Sequence, residues 1–565
     1  MATKLLIIGG VAGGATAAAR ARRIDERAEI ILFERGEYIS FANCGLPYYI
    51  GGVIKNREDL LVTLPQAFRE RYNIDVRVFS EVIAIDRNNK YVEVMDVNTS
   101  ATYKENYSKI ILAPGAEPIK PPFESNGREG IFNLRNISDS DSIKAYIDTK
   151  KPKSAVIVGG GYIGLEMTEN LVFRGVKVTI IEMRDHVMAP LDYEMAALVH
   201  AHLKEKGVRC ELGNRVKSLS HEGDQIIVST DKGHHIECDM VISSIGVTPE
   251  NKLARDAGLA IGSCGSILVD ATMRTSDPDI YAVGDAVEIK DFVTGQPTMT
   301  ALAGPANKQG RIAADNALGR KSLFKGTIGT AIVKIFDFSV ASTGANEKTL
   351  KENNVPYLVS YTHSGSHASY YPGATMMAIK LIFSPSNGKI LGAQIVGIEG
   401  VDKRIDVFAT AIHGAMTVYD LEELELAYAP SYSSAKDPIN IAGFVAGNMV
   451  RGDIETIHWS ELVDRAKDQD IFIDLRNKDE LDTAGVIEGA LHIPLNELRG
   501  KMPGLDKGKN YVLFCAVGFR GYLAHRILVQ NGFQSRNLSG GYKTYLNAME
   551  KIMKESPRTH LWLSE

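Results

Sequence analysis

The 565-residue sequence predicts an α/β chain built from two doubly wound parallel sheets, an α+β domain after them and a short α/β module at the C-terminal end. Three observations carry this expectation. A strand that runs into a glycine-rich turn and then a helix occurs twice, beginning near Leu5 and near Ala155. Strand-like alternation fills residues 330–336 and 377–383. After the polar stretch 449–453 a compact strand–helix pattern starts again. With 44% hydrophobic and 24% charged residues, the chain has the composition of an ordinary globular protein with several cores.

Charge and cysteine usage narrow the function classes. Lysine and arginine number 64 against 69 acidic residues, a formal charge of -5 with no long run of either sign, so nucleic acid is not an expected partner. The five cysteines, Cys44, Cys210, Cys238, Cys264 and Cys515, are an odd number without paired spacing. That argues for a reducing compartment and against a disulfide framework. The apolar opening 5–19 is interrupted by glycine, alanine and threonine and reads as a strand entering a helix rather than a signal peptide. No other run is long enough to span a bilayer. A cytoplasmic protein is expected, with no membrane partner and no metal.

The first strand, 5–8, enters Gly9-Gly10-Val11-Ala12-Gly13-Gly14 and then an alanine-rich helix expected over 15–23. Gly9 and Gly14 allow a sharp turn and close helix packing, and the helix start offers free N–H groups to a pyrophosphate. Val11 stands where the middle glycine of this fingerprint usually falls. The next strand, 29–33, ends at Glu34, placed to accept hydrogen bonds from a ribose diol. The second copy runs from 155–158 through Gly159-Gly160-Gly161-Tyr162-Ile163-Gly164 and a helix to strand 178–181 and Glu182, with all three glycines present. Two such units in one chain point to two dinucleotides. Glu182 repels a 2′-phosphate and favours NADH over NADPH; Arg184, two residues on, works against that preference.

These motifs resemble the two-dinucleotide-binding-domain flavoprotein reductases. Residues 110–116 and 243–249 look like the family's crossover segments, and 275–285 looks like its second flavin motif. The resemblance implies two Rossmann-like domains, with FAD on the N-terminal copy (1–119 and 249–323) and the nicotinamide nucleotide on the inner one (120–248). It makes Gly9, Gly10, Ala12, Gly13, Gly14, Glu34, Arg35, Ala113, Gly115, Gly284 and Asp285 contacts of FAD, Asp285 at the ribityl chain. Gly159, Gly161, Gly164, Glu182 and Gly246 fall to the nicotinamide side, with Glu166 near the flavin and Tyr162 covering its ring.

Ser40-Phe41-Ala42-Asn43-Cys44-Gly45-Leu46-Pro47 follows the Glu34 strand, and Pro47 suits the first turn of a helix. A thiol just ahead of a helix start is expected to be stabilised as thiolate. Relatives that pair two cysteines here use C-x4-C, but the position five after Cys44 is Tyr49. Cys44 must cycle through a sulfenic acid or a mixed disulfide with a substrate thiol. Oxygen- and peroxide-reducing relatives carry a histidine in the first glycine loop, where this chain has Val11 and Ala12, so the mixed disulfide is favoured.

Residues 40–45 together with 9–14 closely resemble the coenzyme A disulfide reductases. The resemblance implies coenzyme A as the small-molecule thiol partner, with Ser40 and Asn43 beside its pantetheine. Arg20, Arg22 and Arg23 on the first helix, with Arg69 and Arg71 beyond, are candidates for its phosphates. The domain 324–449 is the family's dimer-forming domain, implying a homodimer with a shared active site. Its Tyr370 and Tyr428 resemble phenolic donors that reach the cysteine of the other subunit.

After a linker at 450–456, the module 457–560 is similar to the rhodanese family. Strand 511–514 delivers Cys515-Ala516-Val517-Gly518-Phe519-Arg520 to a helix, a cradle able to hold a thiolate or persulfide. The C-x4-R loop is shorter than the C-x5-R loop of cysteine phosphatases and favours sulfur over phosphate, with Arg520 as a substrate contact. The expected activity is NAD(P)H-dependent reduction of coenzyme A disulfide, persulfide or polysulfide through Cys44, with sulfane sulfur handled at Cys515. The rivals are an NADH oxidase or peroxidase working through a Cys44 sulfenic acid, and a sulfur-carrier or redox-sensing module.

Overall fold

A computed structural model describes residues 3–121, 129–463 and 470–555. The chain divides into two compact units, one of Met1–Val187 with Leu203–Gly329 and the other of Met188–His202 with Thr330–Glu565.

In the first unit, a five-stranded parallel sheet runs in the order Ile280–Ala282, Lys109–Leu112, Lys4–Ile8, Glu29–Phe33, Asp75–Arg77. Leu5, Leu6 and Ile7 are fully buried, as a central parallel strand covered on both faces requires. The helix after it spans Ala12–Ile24 and so begins before the expected residue 15. Gly13 and Gly14 lie inside its first turn because the helix must start against the strand. A Cβ on Gly14 would stand 1.8 Å from the Gly9 carbonyl oxygen, and Gly9 itself has φ +101°. A second parallel sheet of five strands has the order Arg209–Leu212, Lys177–Glu182, Ser154–Val158, Met240–Ser243, Ile131–Asn133. Its glycine loop leads into helix Tyr162–Phe173 and repeats the close approach of Gly164 to Gly159.

The second unit contains an antiparallel sheet in the order Ala331–Ile335, Phe338–Gly344, Ile390–Gly397, Met376–Phe383, Leu358–Gly365. The alternation expected over 377–383 is not reflected in burial: every residue of Met376–Phe383 after Met376 is buried. This strand lies inside the sheet and is covered on both faces, with helix Pro438–Val450 packed against it, so its polar member Lys380 needs internal partners. Lys380 Nζ meets Asp192 Oδ2 at 2.7 Å, Glu347 Oε1 at 2.6 Å and Glu194 Oε1. Burial alone would lower its pKa, but Glu194, Tyr361, Asp192 and Glu347 together hold the ammonium well above the lysine range.

The C-terminal module is a parallel sheet ordered Thr456–Ile457, Gln534–Leu538, Asn510–Phe514, Asp470–Asp474, Leu491–His492. The polar stretch leading into it is tied down by Arg451 to Glu422 at 2.8 Å and Arg526 to Asp453 at 3.3 Å. Residues 188–202 fall inside the sequence range 120–248 yet pack in this unit. Tyr193 and Ala197 share a buried cluster with Ile457, Trp459, Phe514, Tyr542 and Tyr545.

Candidate active site

Both glycine loops present an anion cradle. Helices Ala12–Ile24 and Tyr162–Phe173 start without a side-chain cap, the form of helix start that binds an anion. Glu34 accepts from Gly10 N–H through Oε2 and from Gly36 N–H through Oε1, both at 2.8 Å. Glu182 repeats this with Gly160 N–H at 2.7 Å and Arg184 N–H at 2.8 Å. Each carboxylate is thereby fixed at the mouth of its loop. The ideal Cβ positions at Gly115 and Gly161 meet only open space. Uncapped helix starts, anchored ribose-type acceptors and open cradles fit a pair of dinucleotides. Gly284 N–H donates to the buried Gln309 at 2.7 Å and carries Asp285, while Ala113 follows strand Lys109–Leu112 beside Gly9. Arg35 bridges Glu117 at 3.0 Å and Glu250 at 3.1 Å.

Cys44 sits in a single 3-10 turn, Asn43–Gly45, that runs into helix Leu46–Gly51 with Pro47 in its first turn. Cys44 and Asn43 are exposed residues, although the Cys44 sulfur itself is partly enclosed, and Ser40, at φ 48°, donates its N–H to Gly10 O at 2.9 Å. The loop of the cysteine is thus stitched to the first glycine loop. The expected thiolate stabilisation does not hold here. Helix Leu46–Gly51 has only six residues, and the enclosing walls, then the carboxylates of Glu166 and Asp285, push the Cys44 thiol up. Tyr48 Oη donates to Glu166 Oε1 at 3.4 Å, and burial together with Glu169 raises the Glu166 carboxyl to about 7. Tyr48 escaped sequence reasoning; its one signal was its place directly after Pro47. Asp285 is likewise raised by burial, against the pull of Arg135.

The arginines have separate fates. Arg20 pairs with Asp315 at 2.8 Å, and Arg23 and Arg71 are exposed. Arg22 departs from the phosphate-contact expectation. Its guanidinium is buried and spent on the carbonyls of Asp25, Glu26, Tyr72 and Asn73, so it holds the fold and has no face for a phosphate. Arg69 donates to the carbonyl of Val76.

The second unit carries two further groups. Tyr370 and Tyr428, distant in sequence, are exposed and share a hydrogen bond of 2.9 Å between their phenol oxygens. That bond raises the Tyr370 phenol. Cys515 directly follows strand Asn510–Phe514, buried at the base of its loop, and Gly518 N–H donates to Sγ at 3.2 Å. Helix Phe519–Gln530 starts immediately after. Arg520 grips Glu480 through two bonds of 2.6 Å and holds that carboxyl at about 2. Beneath the loop, buried Asp474 and Arg476 pair, and the guanidinium lies 4.0 Å from the centre of the Tyr542 ring.

Two nucleotide cradles and the exposed Cys44, flanked by the carboxylates of Glu166 and Asp285, define an oxidoreductase that moves electrons between a dinucleotide and a sulfur centre. Residues 3–310 match the pattern described as pyridine nucleotide-disulphide oxidoreductase, 330–438 that family's dimerisation domain, and 458–548 a rhodanese-like domain. The chain belongs to the pyridine nucleotide-disulphide oxidoreductase family. A coenzyme A disulfide reductase of Staphylococcus haemolyticus is 36% identical over 447 residues, covering 79% of this chain and 100% of that protein. The solved structure of reduced CoADR-RHD from Bacillus anthracis is 48% identical with TM-score 0.96, covering 100% of both chains. A NAD-dependent persulfide reductase from A. fulgidus is 39% identical with TM-score 0.90, covering 96% of this chain and 100% of that one. Among the described residues no helix is long and apolar enough to cross a membrane.

Proposed function

We propose that this chain is an FAD-dependent NAD(P)H oxidoreductase that reduces coenzyme A disulfide and coenzyme A persulfide through Cys44, with Cys515 handling sulfane sulfur. The observation that carries the reading is the exposed Cys44 at the mouth of the first cradle, where the residue five positions on is the buried Tyr49 and not a second cysteine. A thiol with no resolving cysteine at that position cycles through a sulfenic acid or a mixed disulfide, and the first loop, with Val11 and Ala12 in place of an imidazole, favours the mixed disulfide. Bound FAD would relay reducing equivalents from the nicotinamide nucleotide to this sulfur.

The Cys44 sulfur attacks one sulfur of coenzyme A disulfide, forms a mixed disulfide and releases one coenzyme A thiolate. Two electrons and a proton then regenerate the Cys44 thiolate and release the second thiol. With a persulfide, attack at the inner sulfur gives the same mixed disulfide and releases hydrosulfide. Glu166, titrating near 7 and hydrogen-bonded by Tyr48, is suited to hold the proton that Cys44 loses. Ser40 and Asn43 line the approach to the thiol, and exposed Arg23 and Arg71, with Arg20, are the guanidinium groups proposed for the phosphates.

Glu182, anchored at the second loop, favours NADH. In a homodimer the paired Tyr370 and Tyr428 would protonate the departing thiolate at Cys44 of the partner subunit. Cys515 would carry a persulfide and exchange it with the coenzyme A thiol. A cytoplasmic location, where thiols stay reduced, suits this chemistry. The oxidase and peroxidase readings are not favoured, because Val11 and Ala12 leave the first loop without an imidazole.

The test is mass spectrometry of the isolated protein together with NADH consumption under two conditions. A coenzyme A adduct on Cys44, and turnover that needs coenzyme A disulfide and is abolished by Cys44→Ser, are expected. Rapid NADH consumption with oxygen alone and no adduct would overturn the reading.

A further inference from the structure

The phenols of Tyr370 and Tyr428 stand on two different exposed loops, yet meet at 2.9 Å. Surface tyrosines on separate loops lose side-chain and backbone freedom when held together, and one hydrogen bond between them is too small a return to fix that geometry. Something beneath must hold both loops. We infer that Arg404 is the positioning residue of the tyrosine pair, a buried guanidinium that fastens the roots of both loops to one helix. The inference rests on the role proposed above for the two phenols.

Arg404 lies in helix Val401–His413 and is 1% exposed. One terminal nitrogen, Nη2, reaches the Ser366 carbonyl at 3.0 Å, at the root of the Tyr370 loop. The same nitrogen reaches Ser433 Oγ at 3.1 Å and Asp437 Oδ2 at 2.9 Å, where the Tyr428 loop returns to the fold. Ser433 Oγ also donates to Asp437 at 2.6 Å, and Asp437 caps helix Pro438–Val450. Nη1 donates to the Gly400 carbonyl of its own helix start at 3.2 Å. The fork shows in the other nitrogens: Nε also reaches Asp437 Oδ1 at 3.4 Å, so the carboxylate is clasped by two nitrogens while Nη1 holds Gly400, and the single nitrogen of an ammonium cannot keep these separated contacts together. The preceding residue reinforces the grip, since Lys403 Nζ donates to the carbonyl of Ala427, next to Tyr428, at 3.3 Å. The loops then bond directly, with Ala368 N–H donating to Pro430 O at 3.3 Å and Ser433 O at 3.1 Å. A buried charged network therefore ties the two loop roots together while the phenols stay exposed.

The experiment uses the full-length flavoprotein with coenzyme A disulfide as probe. Arg404→Lys keeps a cation beside Asp437 but loses the fork, and Ser433→Ala removes one hydroxyl while the ion pair stays. Expected are a fall in kcat of about tenfold for the first and a smaller fall for the second, with KM for NADH unchanged. Combining each with Tyr370→Phe and Tyr428→Phe gives a second readout. In the wild-type background the two phenylalanine changes are strongly non-additive, because they share one bond; in the Arg404→Lys background that coupling disappears. A third readout is independent of turnover. The late titration of the Tyr370 phenol, followed by tyrosinate absorbance against Tyr370→Phe, moves toward the ordinary tyrosine range in Arg404→Lys. If Arg404→Lys does not fold, Ser433→Ala carries the same comparison. Wild-type kcat, undiminished coupling and an unmoved phenol titration in these variants would overturn the inference. Full activity in Tyr370→Phe and Tyr428→Phe themselves would instead defeat the proposed role of the phenols, with the titration still reporting whether Arg404 holds the pair.

Discussion

Replacing Lys380 by Met should cost the second unit about 3–5 kcal/mol, the usual penalty for removing one member of a buried ionic group. The lysine is fully buried and its ammonium is enclosed by Asp192 and Glu347 within 2.7 Å and by Glu194. Methionine fills a similar volume, so the packing term is small and the loss measures the stranded carboxylates. Tyr361 Oη at 2.9 Å from Glu194 and Gln394 Nε2 at 2.7 Å from Asp192 would still donate, which keeps the cost within that range. For a unit of this size the loss corresponds to a drop of about 6–20 °C in Tm. The assay is thermal unfolding followed by Trp459 fluorescence in a Trp562→Phe background, since the chain has 2 tryptophans. Adding Glu194→Gln to Lys380→Met should recover part of the loss by removing one stranded charge. A loss below about 1 kcal/mol, the range of a surface pair, would refute the reasoning. Acid behaviour follows the same logic. Glu347, held at about 2 by Lys380 against its burial, lies below its unfolded value. Its stabilisation is therefore present above the unfolded carboxylate pKa and is lost only as pH falls toward 2.

Glu166→Gln should act in two ways. Glu166 is raised to about 7, so its ionisation burdens the folded state as pH rises from the ordinary glutamate range through 7; the variant should gain stability over wild type between pH 5 and 8 in denaturant titrations, and parallel curves would contradict this. Removing the negative charge also lowers the Cys44 thiol, so alkylation of Cys44 by iodoacetamide at pH 7.5 should speed up; a slower reaction would reverse the assigned sign. Gly541→Ala should cripple the second sulfur centre alone. Gly541 has φ +64°, and a Cβ there would stand 2.4 Å from Cys515 O and 2.6 Å from Gly518 N. Persulfide loading of Cys515, read by mass spectrometry, should fall about tenfold or more while coenzyme A disulfide reduction continues; unchanged loading would show that the loop tolerates the clash.

Legibility in the sequence followed the range of the interactions. The glycine loops, with Glu34 and Glu182 at the ends of the next strands, were readable because their geometry is set within about one βαβ unit. Cys44 and Cys515 were readable for the same reason, each delivered by the turn that follows a strand. Partner choice across the chain was not. Nothing local marks Tyr48 as the neighbour of Glu166, or Lys380 as the counterion of Asp192, Glu194 and Glu347. Arg22 looked like its neighbours Arg20 and Arg23, and only tertiary packing turns it inward onto four carbonyls. The thiolate expectation failed because helix polarity was visible in the pattern, while the burial of the sulfur and then the carboxylates of Glu166 and Asp285 come from tertiary packing. Tyr370 and Tyr428 could be named by resemblance, but the guanidinium joining their loops could not.

The apolar cluster that unites Tyr193 and Ala197 with Trp459 and Tyr545 has a practical consequence for anyone trimming this polypeptide. Ending translation ahead of the C-terminal module would strip the oily cover from helix Tyr193–Glu205, encoded far upstream in the first half of the gene. The shortened product would carry a raw greasy patch and a tendency to clump, so the tail behaves as an inseparable organ of the enzyme rather than as a cargo trailer hitched to it.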